Sequence, residues 1–148
     1  MSALPQAGLA PREAAAELVE TYGGDPGWLD AFAEAFERRR GGRELERILR
    51  VWGLSQSEAG RLFGVTRQAV AKWLSEGAPT DRTEQIANLS ATTDLLVRYL
   101  KRDRIPAVVR REAVALGGRS LVDMLAAGET RRLLEVSRDM FAFGDAPT

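Results

Sequence analysis

Residues 64–73, GVTRQAVAKW, decide how the fold of this chain is interpreted. A glycine precedes a run in which Val70 and Trp73 are apolar at helical spacing, whereas Arg67, Gln68 and Lys72 are polar. At 100° per residue, the two apolar side chains share one side of a helix, while Gln68 and Lys72 point the other way. The pattern predicts a short helix that is anchored by Val70 and Trp73 and presents its polar side chains outward, with Arg67 on the flank.

The residues just before this run predict a second short helix. Ser55 and Glu58 have the spacing of a capping box, which indicates a helix start at Ser55. Gly64 then allows a left-handed backbone turn at almost no cost, because glycine has no Cβ. Two short helices joined by a tight turn that contains glycine describe a helix-turn-helix.

The stretch LSQSEAGRLFGVTRQAVAKWLSEG, residues 54–77, resembles the helix-turn-helix of Xre/Cro-type bacterial regulators over its full length. The resemblance rests on Gln56 opening the first helix, small Gly60 where the helices approach, Gly64 at the turn, and Val70 and Trp73 in the second helix. Gly60 departs from the alanine that is more usual at its place. The departure costs about 1 kcal/mol of helix propensity but keeps the required smallness.

The resemblance implies that the N-terminal part of the second helix enters the major groove of DNA. Arg67 suits guanine and Gln68 suits adenine at that position, and other polar residues would contact phosphate or support those contacts. The alternative is that the polar side chains form an ordinary solvated face. Trp73 is assigned to the core, and the other role considered for it is stacking on DNA. The predicted DNA-binding residues are Gln56, Thr66, Arg67, Gln68, Ala71, Lys72 and Ser75.

The segment ALGGRSLVDMLAAGETRRLLEVSRDMFAF, residues 115–143, is similar to the toxin-binding domain of Xre/MbcA/ParS-type antitoxins. Those antitoxins carry an Xre-like helix-turn-helix followed by a small helical module, and the resemblance here covers roughly residues 45–143. The matching points are the run Leu116–Ser120, a short helix after it, Gly128 with Glu129 in a turn, and an apolar last helix. Family members usually have proline after the serine, where this chain has Leu121. Ser120 can still cap the short helix, because Asp123 stands three residues on, at the spacing of a capping box.

This second resemblance implies a RES-domain toxin, from a family that breaks down NAD, as the partner. It also implies that the C-terminal end blocks the toxin's active-site cleft and that the complex represses its own operon. The last helix has apolar residues on two sides, which fits a role in binding. The predicted toxin-binding residues are Arg119, Glu129, Arg132, Met140, Phe141 and Phe143.

Three alternatives stay open for these C-terminal residues. Phe141 and Phe143 could instead fold back onto the N-terminal aromatic residues Trp28, Phe32 and Phe36. Arg119 and Glu129 could equally form an ion pair within the chain. Arg132, together with Arg131 and Arg138, could belong to a solvated face that makes no specific contact.

Helical periodicity throughout the chain predicts an all-α fold. We expect a helical extension over residues 1–42, a helix-turn-helix domain over 43–100 and a toxin-binding domain over 101–148. Individual helices are also predicted. The first helix should start at Pro11, and the second should end at Gly41–Gly42. Later helices should run from Thr80 to Leu100, over about 107–115 after KRDRIP as a connector, and from Glu129 to Phe143.

Composition narrows the function classes. The chain has 148 residues, no cysteine, no histidine and a net charge of zero. Triad-type catalysis and the usual zinc sites therefore lack their residues, and we expect neither an enzyme, a metal nor a cofactor. The absence of a secretion signal or a long apolar run indicates a cytoplasmic protein without a membrane partner. The partners expected are operator DNA, the toxin and a second copy in a homodimer.

Two other interpretations compete with the antitoxin. One is a stand-alone Xre-family regulator whose C-terminal module mediates dimerisation or ligand sensing. The other is a protein-interaction module whose helix-turn-helix no longer binds DNA.

Overall fold

The structure, a computed structural model, describes residues 7–142 and confirms the all-α prediction. Within that range it has no strand, and its regular structure consists of α-helices, three short 3-10 turns and one isolated bridge between Ala113 and Arg119. The α-helices are α1 Pro11–Tyr22, α2 Pro26–Trp52, α3 Gln56–Phe63, α4 Arg67–Glu76, α5 Thr83–Tyr99, α6 Ile105–Arg110, α7 Leu121–Ala126 and α8 Thr130–Ala142.

The chain divides into two compact units, Met1–Glu37 and Arg38–Thr148. In the first unit, α1 and the beginning of α2 are joined by an aromatic ladder of Tyr22, Trp28, Phe32 and Phe36. Its ring centroids are 3.5, 5.4 and 6.3 Å apart in that order. None of the described residues in this unit is buried, and the Phe36 side chain is 57% exposed.

The second unit contains the hydrophobic core. Trp52 at the end of α2 is fully buried, together with Leu89 and Leu96 of α5 and Leu133 of α8. The indole N–H of Trp52 donates to the hydroxyl of buried Thr93 at 2.9 Å, so the polar atom of this large side chain is satisfied inside the core. The core therefore links the helix that precedes α3 with the last helix of the chain.

Three expectations about helix ends were wrong. α2 continues through Gly41 and Gly42 instead of ending there. The predicted helix over 107–115 is α6, which begins at Ile105 and ends at Arg110. Pro106 lies in its first turn, where its missing N–H costs nothing, so KRDRIP is not merely a connector.

The other helix expectations hold within a few residues. α1 begins at Pro11 as predicted. The helix expected from Thr80 consists of a 3-10 turn followed by α5. α8 begins at Thr130, one residue after the predicted start, and the predicted end at Phe143 lies outside the described residues.

The glycines do not end α2 because they serve a close helix contact. A Cβ on Gly42 would lie 2.6 Å from the carbonyl oxygen of Trp73 and 3.2 Å from the Cα of Gly77. The same contact includes a hydrogen bond of 2.9 Å from the backbone N–H of Ala78 to the carbonyl of Arg38. Smallness at position 42 therefore lets α2 touch the C-terminal end of α4.

Replacing Gly42 by alanine should destabilise the protein although alanine favours helices. The added methyl meets backbone atoms that cannot rotate away, and such overpacking costs about 1–3 kcal/mol. Urea unfolding followed by circular dichroism should show a lower midpoint for Gly42→Ala.

The matched control is Gly27→Ala in the same helix, where a Cβ would meet only the Asp25 carboxylate at 3.5 Å. Its unfolding midpoint should be unchanged or slightly raised. Equal midpoints for the two variants would contradict the packing argument.

Candidate functional site

The start of α3 is fixed by the predicted capping box. The Ser55 hydroxyl accepts a hydrogen bond from the Glu58 backbone N–H at 3.1 Å, and the Glu58 carboxylate accepts one from the Ser55 backbone N–H at 3.4 Å. This reciprocal pair satisfies two of the N–H groups that a helix start leaves open.

The turn between α3 and α4 has the left-handed conformation that the sequence predicts. Gly64 has φ 70° and ψ 32°, and the backbone N–H of Val65 donates to the carbonyl of Gly60 at 2.8 Å. The Thr66 hydroxyl then caps α4 by accepting the Ala69 N–H at 3.0 Å. A Cβ at position 60 would lie 2.9 Å from the Val65 carbonyl oxygen. A methyl group at this place would force the turn or α3 to shift, so glycine suits how closely the turn crosses α3.

α4 is anchored by its apolar side. Val70 and Trp73 are buried, and the Trp73 ring packs edge-on against Phe63 of α3 with the centroids 6.1 Å apart. The guanidinium of Arg82 lies 5.4 Å from the centre of the Trp73 ring and donates to the Phe63 carbonyl at 3.2 Å. The assignment of Trp73 to the core is confirmed, and Arg82 is a support of α4 that the sequence analysis missed.

Most of the residues predicted to bind DNA are exposed on α4 or at its start, and Gln56 is exposed at the start of α3. Arg67 and Gln68 form the exposed first turn of α4, directly after the capping residue, and only Ala71 is partly buried. The Ser75 hydroxyl donates to the Lys72 carbonyl at 3.3 Å. Their role in DNA binding stays a prediction. The exposed ones are Gln56, Thr66, Arg67, Gln68, Lys72 and Ser75.

Arg110 of α6 forms hydrogen bonds to the segment that precedes α3. Its guanidinium donates to the carbonyl oxygens of Trp52 and Gly53 at 3.1 and 2.8 Å and contacts the Glu58 carboxylate at 3.2 Å. Partial burial raises the pKa of Glu58, but the Ser55 backbone N–H and the positive charges of Arg110 and Arg61 outweigh it and leave that pKa below its usual value. In the sequence, Arg110 belongs to a basic run and carries no signal of this contact.

The C-terminal module is held by a second capping box and an ion pair. The Ser120 hydroxyl accepts the Asp123 N–H at 3.0 Å, and the Asp123 carboxylate accepts the Ser120 N–H at 2.9 Å, as the spacing predicts. The guanidinium of Arg119 donates to both carboxylate oxygens of Glu129, one of them at 3.4 Å. Arg119 and Glu129 therefore pair within the chain, which was one of the two roles left open.

These contacts shift three pKa values. The hydrogen bond from Arg119 holds the pKa of Glu129 below its usual value, and the same bond raises the pKa of Arg119. The backbone N–H of Ser120 lowers the pKa of Asp123 in the same way. All three groups are therefore charged at neutral pH.

The other predicted toxin-binding residues differ in their surroundings. Arg132 is exposed and the Met140 side chain is 42% exposed, so both present atoms to solvent. Phe141 is half-buried and stacks on Tyr99 of α5, with the ring centroids 4.9 Å apart. Phe143 lies outside the described residues.

A polar groove of about 510 Å³ lies between the start of α5 and the start of α8. Two of the predicted toxin-binding residues, Glu129 and Arg132, line it. Glu84 and Arg131, which form an exposed ion pair at 3.3 Å, lie across it from α5 to α8. The groove therefore joins the Arg119–Glu129 pair to an exposed, mixed-charge surface.

Comparisons with known proteins give one informative result. No family model matches the chain, and no curated protein matches it. A chain of the crystal structure of the M. tuberculosis MbcT–MbcA toxin–antitoxin complex has a similar fold, with a TM-score of 0.57 and 22% sequence identity. The match covers 72% of this chain and 96% of that chain. At that identity, the likeness shows a common helical fold.

None of the helices between residues 7 and 142 combines the length and the apolar character that crossing a bilayer requires.

The lowered carboxyl pKa values predict loss of stability in acid. Unfolding returns the pKa values of Glu58, Asp123 and Glu129 to their ordinary value of about 4, so the folded protein binds fewer protons than the unfolded chain in this range. The stabilisation is therefore complete above about pH 5 and is lost as the pH falls through the lowered folded-state values. Urea midpoints measured from pH 7 to pH 3 should decline at the acid end.

Glu129→Gln should lower the midpoint at pH 7 and make the acid decline shallower, because the Arg119 partner is lost. Glu135→Gln, which removes one exposed acid from α8, controls for net charge. If both variants follow the wild-type profile, the Arg119–Glu129 pair does not contribute as described.

Proposed function

We propose that this protein is the antitoxin of a type II toxin–antitoxin system. In this proposal, the C-terminal module neutralises a RES-domain toxin that degrades NAD, and α3 and α4 form a helix-turn-helix that represses the operon. The observation that carries the proposal is the fold likeness to a chain of a toxin–antitoxin complex, which spans 72% of this chain. The order of the two resemblances along the sequence supports the same function.

The geometry of α4 supports DNA reading. The αL turn at Gly64 and the buried Val70 and Trp73 fix the helix from one side, which leaves Arg67 and Gln68 exposed in its first turn. An arginine can donate two hydrogen bonds to guanine and a glutamine can pair with adenine in the major groove. Because α4 is held by packing, these side chains would meet a duplex with little cost of ordering the backbone.

The surface of α8 supports a protein partner. Leu133 and Leu134 are buried against the chain itself, while Met140 and Arg132 remain exposed on the same helix. An exposed methionine is an adaptable apolar contact, and the neighbouring groove adds charges of both signs. We propose that the toxin covers this surface of α8 and that Phe143 reaches the toxin's cleft.

The DNA part of the proposal is tested with Arg67→Ala and Gln68→Ala. Each lost base contact should cost about 1–3 kcal/mol of binding free energy to the operator and relax sequence preference at one position. Gel shifts and footprinting on the DNA upstream of the gene measure both effects. The footprint should show an inverted repeat with half-sites about 34–36 Å apart.

The matched control is Arg138→Ala, which removes an exposed arginine from α8 and should leave operator binding near wild type. Unchanged operator binding by the α4 variants would rule out α4 as the reading helix.

The toxin part is tested by co-expression with the product of the adjacent gene, which this proposal expects to encode a small RES-domain toxin. Wild-type antitoxin should restore growth, whereas the double variant Arg132→Glu with Met140→Asp should not. The first substitution reverses a charge and the second puts an acid in place of an apolar side chain, and both should oppose binding of the toxin to α8. Ending the chain after Ala142 tests the proposed role of Phe143 in the same assay, and Arg138→Glu is the control. DNA binding without any rescue by wild type would favour the stand-alone regulator.

A further inference from the structure

The sign of the charges changes abruptly within α2. Residues 7–37 carry seven acids and one base, Arg12. The next six residues contain four arginines and no acid. We call Arg38, Arg39, Arg40 and Arg43 the arginine cluster. All four side chains are exposed.

The arginine cluster lies at the C-terminal end of α4. The Arg39 guanidinium donates to the Ser75 carbonyl oxygen at 3.0 Å, and the Arg38 carbonyl accepts the Ala78 N–H at 2.9 Å. Gly42, between Arg39 and Arg43, fits against the carbonyl of Trp73. The position of the cluster relative to α4 is therefore fixed by three separate contacts.

Arg39 and Arg43 share one face of α2, because residues four apart lie one turn above each other. Arg39, on this face, donates to the carbonyl oxygen of Ser75, the last residue of α4 that is predicted to bind DNA. Neither the Arg39 nor the Arg43 guanidinium has a carboxylate partner in the described part of the chain. Two guanidinium groups therefore extend the exposed surface of α4 at the end opposite Arg67.

A duplex seated on α4 would bring phosphates to this place. From Arg67 to Ser75 the helix rises about 12 Å, at 1.5 Å per residue, which is comparable with the width of about 12 Å of the major groove. A helix in the groove is thus bordered by phosphates near both of its ends. Guanidinium groups bind phosphate with two parallel hydrogen bonds.

We propose that Arg39 and Arg43 bind the phosphate backbone of DNA beside the C-terminal end of α4, with Arg38 and Arg40 adding positive charge. The contacts would extend the DNA-binding surface beyond α3 and α4 into α2. This inference rests on the proposed DNA-binding function. Arg39 has a second task, because its hydrogen bond to Ser75 also ties the end of α4 to α2.

The salt dependence of DNA binding tests the proposal. Each phosphate contact contributes about 0.9 to the slope of log K against log salt concentration, whatever the sequence. The probe is a fluorescein-labelled 30-bp duplex of arbitrary sequence, titrated by anisotropy at several concentrations of KCl. The slope should become shallower by about 1 for Arg43→Gln and by about 2 for Arg39→Gln with Arg43→Gln.

The matched control is Arg12→Gln with Arg138→Gln, which removes two exposed arginines elsewhere and changes the net charge equally. Its slope should remain at the wild-type value. Thermal unfolding by circular dichroism identifies any loss of fold in Arg39→Gln, and Arg43→Gln alone keeps the test valid in that case.

Three outcomes would contradict the proposed phosphate contacts. Wild-type binding with an unchanged slope in Arg43→Gln overturns this inference and leaves the proposed function standing. An equal change in the cluster and control variants overturns it as well, because net charge alone would explain the data. A wild-type protein that binds no duplex at low salt overturns the DNA-binding function and this inference together.

Discussion

The burial of Val70 and Trp73 behind the left-handed turn at Gly64 is the constraint on which the candidate DNA-binding surface depends. With the apolar side of α4 packed against Phe63, the helix has one orientation available, and its polar side must face outward. Gly60 and Gly42 serve the same arrangement, because each removes a Cβ that would meet backbone atoms of a neighbouring segment. Close backbone approach, rather than helix propensity, explains these glycines.

Charged residues distant in sequence secure the ends of the helices around this unit. Arg110 donates to the carbonyl oxygen of Trp52 just before α3, and the Arg82 guanidinium lies over the Trp73 ring. Arg39 donates to the carbonyl oxygen of Ser75 in the last turn of α4. Each donates to backbone carbonyls that a helix or turn leaves open. The arginine content of the chain therefore has a structural use, and a net charge of zero conceals a local concentration of positive charge beside α4.

Local chemistry explains which predictions succeeded. Both capping boxes, the turn at Gly64 and the helix start at Pro11 depend on residues within a few positions of each other, and all four are confirmed. The end predicted at Gly41–Gly42 failed because a pair of glycines has two opposite uses. It can end a helix, or it can let a continuous helix touch another backbone, and only the position of α4 distinguishes them.

The sequence by itself determined the all-α class, the caps, and the outward side of α4, because helical periodicity and capping are local properties. Only the tertiary structure decided that Arg119 pairs with Glu129, that Phe141 stacks on Tyr99, and that the arginine cluster adjoins Ser75. These partners are separated by 10 to 42 positions in the chain, and their meeting depends on how the helices pack. Packing is set by the whole core at once, so no short stretch of sequence encodes it.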